Sequence, residues 1–227
     1  MALYLHETVD VVGGKEQEYI DALEKNWLPV AKKRDLRLVG FWTTVGTTGR
    51  WPEAVALWEM DDWRHYARLR ETQYAVNKPK DQNLAGWAEQ YAWQFRTGGY
   101  DRLLIPGPKT PTLAELLKNK VKGQVFLHEI LTCVPGRVDD YLKAIADEYL
   151  PVARSRGVEL VGSYKRAMSN TEAINIWVFK EWAAFAEIRE VQHKHKGLKA
   201  WMKRAMTLRT DWEDKLLNPV SWNPLRG

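Results

Sequence analysis

The alternation of apolar and polar side chains from Leu3 to Val12 has the two-residue period of a strand, and Gly13-Gly14 turns it. From Lys15 to Lys33 the apolar positions shift to helical spacing, with Tyr19, Leu23, Trp27, Val30 and Ala31 on one side. Pro29 has no N–H for the bond to residue i−4, so it is expected to kink this helix or end it early. Strands follow from Leu36 to Thr44 and from Ala54 to Met60, joined by a hairpin-like loop from Gly46 to Pro52. Asp61 or Asp62 caps a second helix carrying Trp63, Tyr66, Ala67 and Arg70. Lys78-Pro79-Lys80 breaks it, and Leu84, Trp87, Ala88 and Tyr91 mark another short helix. A fourth strand lies between Phe95 and Ile105, with Gly98-Gly99 as a bulge. Pro106-Gly107-Pro108 closes the series, and the capping-box sequence Thr112-Leu113-Ala114-Glu115 opens a linker helix to Asn119.

The same series then runs again: a strand from Val125 to Thr132, a helix from Val138 to Arg154, strands from Glu159 to Arg166 and Ala173 to Phe179, a helix from Glu181 to His193, another from Leu198 to Met206, and a strand near Leu208 to Leu217. The recurrence is in the letters as well as the pattern. Leu5-His6-Glu7 returns as Leu127-His128-Glu129, and Leu28-Pro29-Val30-Ala31 as Leu150-Pro151-Val152-Ala153; fifteen of the thirty-six positions from 5 to 40 are identical at an offset of 122. After a three-residue deletion, Glu53, Trp58, Trp63, Ala67 and Arg70 fall on Glu172, Trp177, Trp182, Ala186 and Arg189. Each unit has the order β-α-β-β-α-β, the ferredoxin-like plait. The expected fold is therefore α+β, with tandem ferredoxin-like repeats over residues 1–106 and 123–227 and a linker at 107–122. Each sheet covers one face with its own helices and leaves the other open, so the two should pack sheet to sheet within one chain.

Composition sharpens this only in places. Apolar residues make up 45% of the chain, enough for a sizeable core. The net charge of +5 is spread among mixed signs, which argues against a nucleic-acid-binding stripe. The one cysteine, Cys133, fits a reducing compartment and reads as a small core residue. No signal-peptide pattern or long apolar window is seen, so no membrane span and a cytoplasmic location are expected. Twelve tryptophans suggest a cavity or interface lined by large flat rings.

Gly14-Lys15, the run from Leu38 to Thr44, Leu57-Trp58-Glu59-Met60 and Leu103-Leu104-Ile105-Pro106 resemble the NIPSNAP-like family of the dimeric α/β-barrel superfamily. The second half is similar more loosely, through Val161-Gly162, Ile176-Trp177 and Leu216-Leu217-Asn218-Pro219. The resemblance implies an intramolecular dimeric α/β barrel. It also implies that Glu7 and Glu129 face the barrel interior while His6 and His128 face the helices. Relatives in that superfamily include cofactor-free monooxygenases, polyketide cyclases, isomerases and haem enzymes, so the fold alone chooses no chemistry.

On this basis Glu7 and Glu129 are the first catalytic candidates. A carboxyl in an apolar, tryptophan-lined pocket is pushed towards neutral pKa and can act as general acid or base; the plainer role is a buried Glu–Arg pair that fixes strand register. Arg96 and Arg209, which match in an Arg-Thr pair, come within reach of them. Trp42, Trp58, Tyr164, Trp177 and Asn175 are the substrate-binding candidates. His6 and His128 read mainly as core histidines, with a haem or metal site as the sharper alternative, and His193 and His195 as at most adventitious ligands. The cations Lys194, Lys196, Lys199, Lys203 and Arg204 read as a solvated helix face opposite Leu198, Trp201, Met202 and Ala205. No nucleophile triad, Rossmann fingerprint or phosphate loop is found. The expected function is an enzyme for a hydrophobic or aromatic small molecule, held in the barrel cavity, working by acid–base chemistry without a cofactor or metal: cyclisation, isomerisation, elimination or cofactor-independent oxygenation. The alternative is a non-catalytic NIPSNAP-like binder or adaptor. The tandem chain could self-associate further. Arg166, Lys165 and Asn175 stand opposite Thr44, Thr43 and Ala56, which predicts an asymmetric pocket with one functional half.

Overall fold

The computed structural model describes residues 1–74 and 82–227. Eight strands carry the fold: β1 (Leu3–Val11), β2 (Arg37–Thr44), β3 (Glu53–Met60), β4 (Arg96–Pro106), β5 (Val125–Cys133), β6 (Val158–Arg166), β7 (Glu172–Phe179) and β8 (Arg209–Pro219). They close into one antiparallel barrel in the order β1-β3-β2-β8-β5-β7-β6-β4. Exchanging the two halves leaves this ring unchanged. Within each half the first strand lies between the third and fourth, as a plait requires. Two short seams join the halves: β2 meets β8 over Trp42, Thr43 and Thr44, and β4 meets β6 over Leu104, Ile105 and Pro106.

The helices lie outside. Helix α1 runs over Glu16–Ala22, widens to a π-helical turn at Leu23–Trp27, and resumes at Leu28–Lys33. The expected effect of Pro29 is thus a local widening: without its N–H and with its ring against the preceding turn, the ladder slips by one residue instead of ending. Its repeat partner, α5, does the same around Pro151, with the π turn at Ile145–Tyr149 between Val138–Ala144 and Leu150–Arg154. Helix α2 (Trp63–Tyr74) starts with the Asp62 carboxylate accepting from the His65 N–H at 2.8 Å. Helix α3 spans Gln82–Trp87, a π turn at Ala88–Ala92 and Trp93–Phe95. The helix break read at Lys78-Pro79-Lys80 lies outside the described residues. The linker helix α4 (Leu113–Lys118) carries the expected Thr112/Glu115 capping box. Helix α6 is Trp182–Val191 and α7 is Lys196–Ala205. No helix among the described residues is long and apolar enough to cross a membrane.

Strand β3 is buried at all eight positions. A barrel whose outside is covered by helices hides both faces of its central strands, so they lose the one-sided alternation of a half-exposed sheet. Three apolar clusters result. Two lie between sheet and helices, one in each half, and the third fills the barrel with side chains from both halves.

Candidate functional site

The faces of β1 and β5 are the reverse of what the family resemblance implied. His6 and His128 point into the barrel, and Glu7 and Glu129 point outwards under the helices of their own halves. The neighbours decide this. Tyr4, Trp42, Val55, Leu57, Phe126, Tyr164, Ile174 and Ile176, drawn from both halves, pack together around the barrel axis. Trp58 and Trp177, which hydrogen-bond the glutamates, pack instead against α1 and α5 residues such as Tyr19 and Tyr141. Nor is the interior a cavity shared by two carboxylates. It is filled: Tyr4 meets Tyr164 at 4.8 Å and Trp42 meets Phe126 at 5.3 Å between ring centroids. Of the substrate-binding candidates, Trp42 and Tyr164 lie in this packed interior, while Trp58, Trp177 and Asn175 lie with the glutamates.

At the centre of the barrel, His6 Nε2 and His128 Nε2 are 2.8 Å apart with their rings within 5° of parallel, and both residues are fully buried. One neutral ring donates and the other accepts. Burial pushes both imidazoles well below the ordinary histidine range. The pair does not fit a metal or haem: two nitrogens on one tetrahedral zinc, each about 2.0–2.1 Å from it, would stand roughly 3.3 Å apart, and a porphyrin needs an open face where each Nε2 meets its partner. Among the described residues no group of three or more His, Cys, Asp or Glu could hold a metal ion. His195 Nδ1 instead caps α7 by accepting from the Leu198 N–H, and His193 bonds Gln192. Met202, expected in the buried stripe of α7, is 37% exposed. Cys133 is buried, its thiol pushed up to about 11 by desolvation.

The first-half site lies between β1, β3, β4 and the helices above them. Trp58 Nε1 donates to Glu7 at 2.6 Å, and the Arg96 guanidinium stands 3.9 Å from the other carboxyl oxygen. Arg96 also donates to the Tyr19 hydroxyl at 2.7 Å and lies over the rings of Tyr19 and Trp87. Trp27, carried by the π turn, meets Trp58 edge-on at 6.3 Å and Trp87 at 5.7 Å. Asp101 is directly opposite Glu7 across the β1–β4 pair, and so on the same face. Burial raises the pKa of both carboxyls. The Asp101 charge adds to the rise at Glu7, and Arg96, with Arg70, offsets part of both shifts. Glu7 retains 14% side-chain exposure and Arg96 26%, so solvent reaches the pair.

The second-half site repeats these parts. Trp177 Nε1 donates to Glu129 at 2.7 Å, Tyr149 meets Trp177 edge-on at 5.0 Å and stacks on Trp201 at 5.0 Å, and Asp214 is opposite Glu129. Burial, with the Glu129 charge adding to it, raises the Asp214 carboxyl to about 6. Tyr149 stands where the first half has Trp27 and Trp212 where it has Gly99, and next to the glutamate the difference is Asn175. Its Nδ2 donates to both Glu129 and the Tyr141 hydroxyl at 2.9 Å, and its Oδ1 accepts from Ser163 at 2.6 Å. Arg209 lies over Trp212, and no ion pair within 4.0 Å joins it to Glu129 among the described residues. Lys165 and Arg166, also without first-half counterparts, are spent on Asp139 and Glu172.

Asp101 and Asp214 are absent from the sequence reading. The signal for them was there: at the offset of 113 that matches Arg96 to Arg209, Asp101 falls on Asp214. Two surface clefts, of ≈ 720 and ≈ 660 Å³, lie away from both sites, one near Trp51 and the C-terminal residues and one beside the linker helix.

The NIPSNAP family profile matches residues 6–90 and 129–224, once in each half. The chain belongs to the NIPSNAP family. No curated protein sequence matches it. Among solved structures, this NIPSNAP chain is similar in fold to a candidate monooxygenase from Lactobacillus acidophilus NCFM, with a TM-score of 0.63 and 14% identity over 95% of this chain and 92% of that one. An anthrone oxidase-like protein gives 0.61 and 11% over 96% and 91%. An uncharacterized NIPSNAP domain protein from Burkholderia xenovorans gives 0.41 and 23%, covering 48% of this chain and 99% of that one. The fold is thus the dimeric α/β barrel built from one chain.

Proposed function

We propose that the chain is an enzyme that takes a proton from a small, hydrophobic, aromatic substrate in the first-half site, between sheet and helices. The observation that carries this is the pair Glu7 and Asp101: two carboxyls opposite each other on one face, Glu7 half-buried and Asp101 exposed, with one indole donor to Glu7 and an arginine held beside it. Two such carboxyls share a proton more readily than they both ionise, which moves Glu7 up from the ordinary carboxylate range, the direction a general base needs. Glu7 is the base. Arg96 stabilises the anion left on the substrate, and Tyr19 holds Arg96 in place. Trp27, Trp58 and Trp87 offer ring faces and edges to a flat ligand. A carbon acid activated by a neighbouring carbonyl suits this set, because its carbanion can then cyclise, isomerise, eliminate or meet oxygen without a bound cofactor. The kinds of protein sharing the fold, a candidate monooxygenase and an anthrone oxidase-like protein, agree with that class of substrate.

The test uses a dihydroxyanthrone as probe. Binding is followed by tryptophan fluorescence and turnover by absorbance. Glu7→Gln should bind the probe and lose turnover, while Glu129→Gln keeps most of it. Full turnover by Glu7→Gln removes Glu7 as the base, and a folded protein that neither binds nor converts the probe removes the substrate class.

A further inference from the structure

On the reading that Glu7 is the base, we infer that the residue at position 56, and its repeat partner at 175, decides which half performs proton transfer. The two sites share a glutamate, an opposing aspartate, an arginine, a tyrosine and the indole that bonds the glutamate. Beside these shared parts they differ in the ring over the indole, Trp27 against Tyr149, in Gly99 against Trp212, and at two neighbouring positions next to the glutamate: Phe41 and Ala56 in the first half, Ser163 and Asn175 in the second, each pair directly opposite across its strands. Glu7 and Glu129 are the next residues across, opposite Ala56 and Asn175.

Asn175 is fully buried and its amide is fully used. One donation ties down a Glu129 oxygen and the other takes the Tyr141 hydroxyl. Arg209 makes no hydrogen bond to Tyr141 among the described residues and lies over Trp212, a ring whose first-half counterpart is Gly99. In the first half the methyl group of Ala56 donates nothing. The Tyr19 hydroxyl therefore takes its bond from Arg96, and this brings the guanidinium to Glu7. Among the described residues Glu7 receives one hydrogen bond, from Trp58, and Glu129 receives two. Each donation to a carboxylate makes it a weaker base. A single side chain thus sets two things together, the donors on the glutamate and the partner of the tyrosine, while Trp212 in place of Gly99 gives the second-half arginine a ring to lie on. Ala56 is a positioning residue; it touches none of the reacting atoms.

The experiment places the second-half residue in the first half. Trp58 Nε1–H donates to Glu7, so its indole resonance in a nitrogen–proton correlation spectrum follows Glu7 ionisation without any turnover. In Ala56→Asn the midpoint of that resonance should fall by about one pH unit, a tenfold weaker hold on the proton. The acid limb of the rate profile should move with it, with kcat reduced and KM little changed. Phe41→Ser/Ala56→Asn restores the space and the Ser163-like partner should asparagine not fit beside Phe41. An unshifted Trp58 midpoint in whichever variant is folded overturns the inference. A parent protein that never converts the probe refutes the proposed function instead, so the two failures are read by different signals.

Discussion

The histidine pair inside the barrel makes stability depend on acid in a way that can be worked out beforehand. In the fold, both imidazoles are enclosed, share one proton between their Nε2 atoms, and are held well below their ordinary pKa. In the unfolded chain they titrate near 6.5. Below that value the unfolded state therefore binds more protons than the fold, and stability falls as pH falls; it is fully present above the unfolded value and lost on the way down to the folded one. The full slope of about 1.36 kcal/mol per pH unit applies only below the unfolded value, so across the window from about pH 7.5 to about pH 5.5, centred on about 6.5, each group removes about 1.36 kcal/mol and the two together roughly 2.7 kcal/mol. For a domain with a stability of about 5–15 kcal/mol that is a large share. The carboxyls of Glu7, Asp101 and Asp214, whose pKa values are raised, act with the opposite sign and mask part of the loss. The assay is therefore a difference: urea unfolding followed by tryptophan fluorescence at both pH values, for the parent and for His6→Leu/His128→Leu. Replacing both partners by apolar groups leaves no orphaned ring nitrogen. The parent should lose roughly 2.7 kcal/mol more than the double variant. Equal losses in the two proteins would show that the pair takes up protons without resistance and refute the reasoning.

Three further outcomes are expected. A Cβ on Gly40 would sit 2.2 Å from the Trp42 ring, and one on Gly162 2.0 Å from the Tyr164 hydroxyl, so Gly40→Ala or Gly162→Ala should lower the urea midpoint by an amount equivalent to about 1–3 kcal/mol. Lys215 and Glu53 form an ion pair across the halves with side chains 6% and 8% exposed; Lys215→Met strands the Glu53 charge and should destabilise the fold by about 3–5 kcal/mol in the same assay. For catalysis, kcat/KM of the parent on the dihydroxyanthrone should rise with pH through a midpoint above the ordinary glutamate value of about 4.3, because burial favours protonated Glu7; a rate already flat above that value would contradict its role as base.

The repeat in the sequence carries nearly all of the fold. Leu-His-Glu, Leu-Pro-Val-Ala and Leu-Val-Gly recur at constant offsets, and elements placed by one copy are confirmed by the other. What alternation could not settle was direction. On β1, Leu5, Glu7 and Val9 share one face and Tyr4, His6 and Thr8 the other, and each set mixes apolar and polar members. A strand covered on both sides offers no dry-against-wet contrast to tell the faces apart. The Leu-Val-Gly motif held a further clue that only packing explains. Gly40 and Gly162 follow bulges in β2 and β6, and the rings of Trp42 and Tyr164 fold back over them. The candidate sites came out in part: Glu7, Trp58 and Arg96 do converge, as do Glu129, Trp177 and Asn175, while Trp42 and Tyr164 are separated from them by the thickness of the sheet.

The pattern of what the two halves share follows from where each residue meets its neighbours. Inside the barrel, partners come from opposite halves: His6 with His128, Glu53 with Lys215, Arg102 with Glu172. Arg102 and Lys215 occupy equivalent positions, as do Glu53 and Glu172, so each ion pair is the image of the other. A change in one copy of such a residue unsettles the other half as well, and a histidine whose partner is its own repeat image cannot be altered alone without leaving a buried nitrogen unpaired. Under the helices the opposite holds. Glu7 answers to Trp58, Arg96, Arg70, Asp101 and Tyr19, all of the first half, and Glu129 to Trp177, Asn175 and Asp214 of the second. Nothing in one site has to match the other. One chain thus holds a barrel core constrained to symmetry and two outer sites free to differ, and Ala56 against Asn175 is the difference that reaches the glutamate itself.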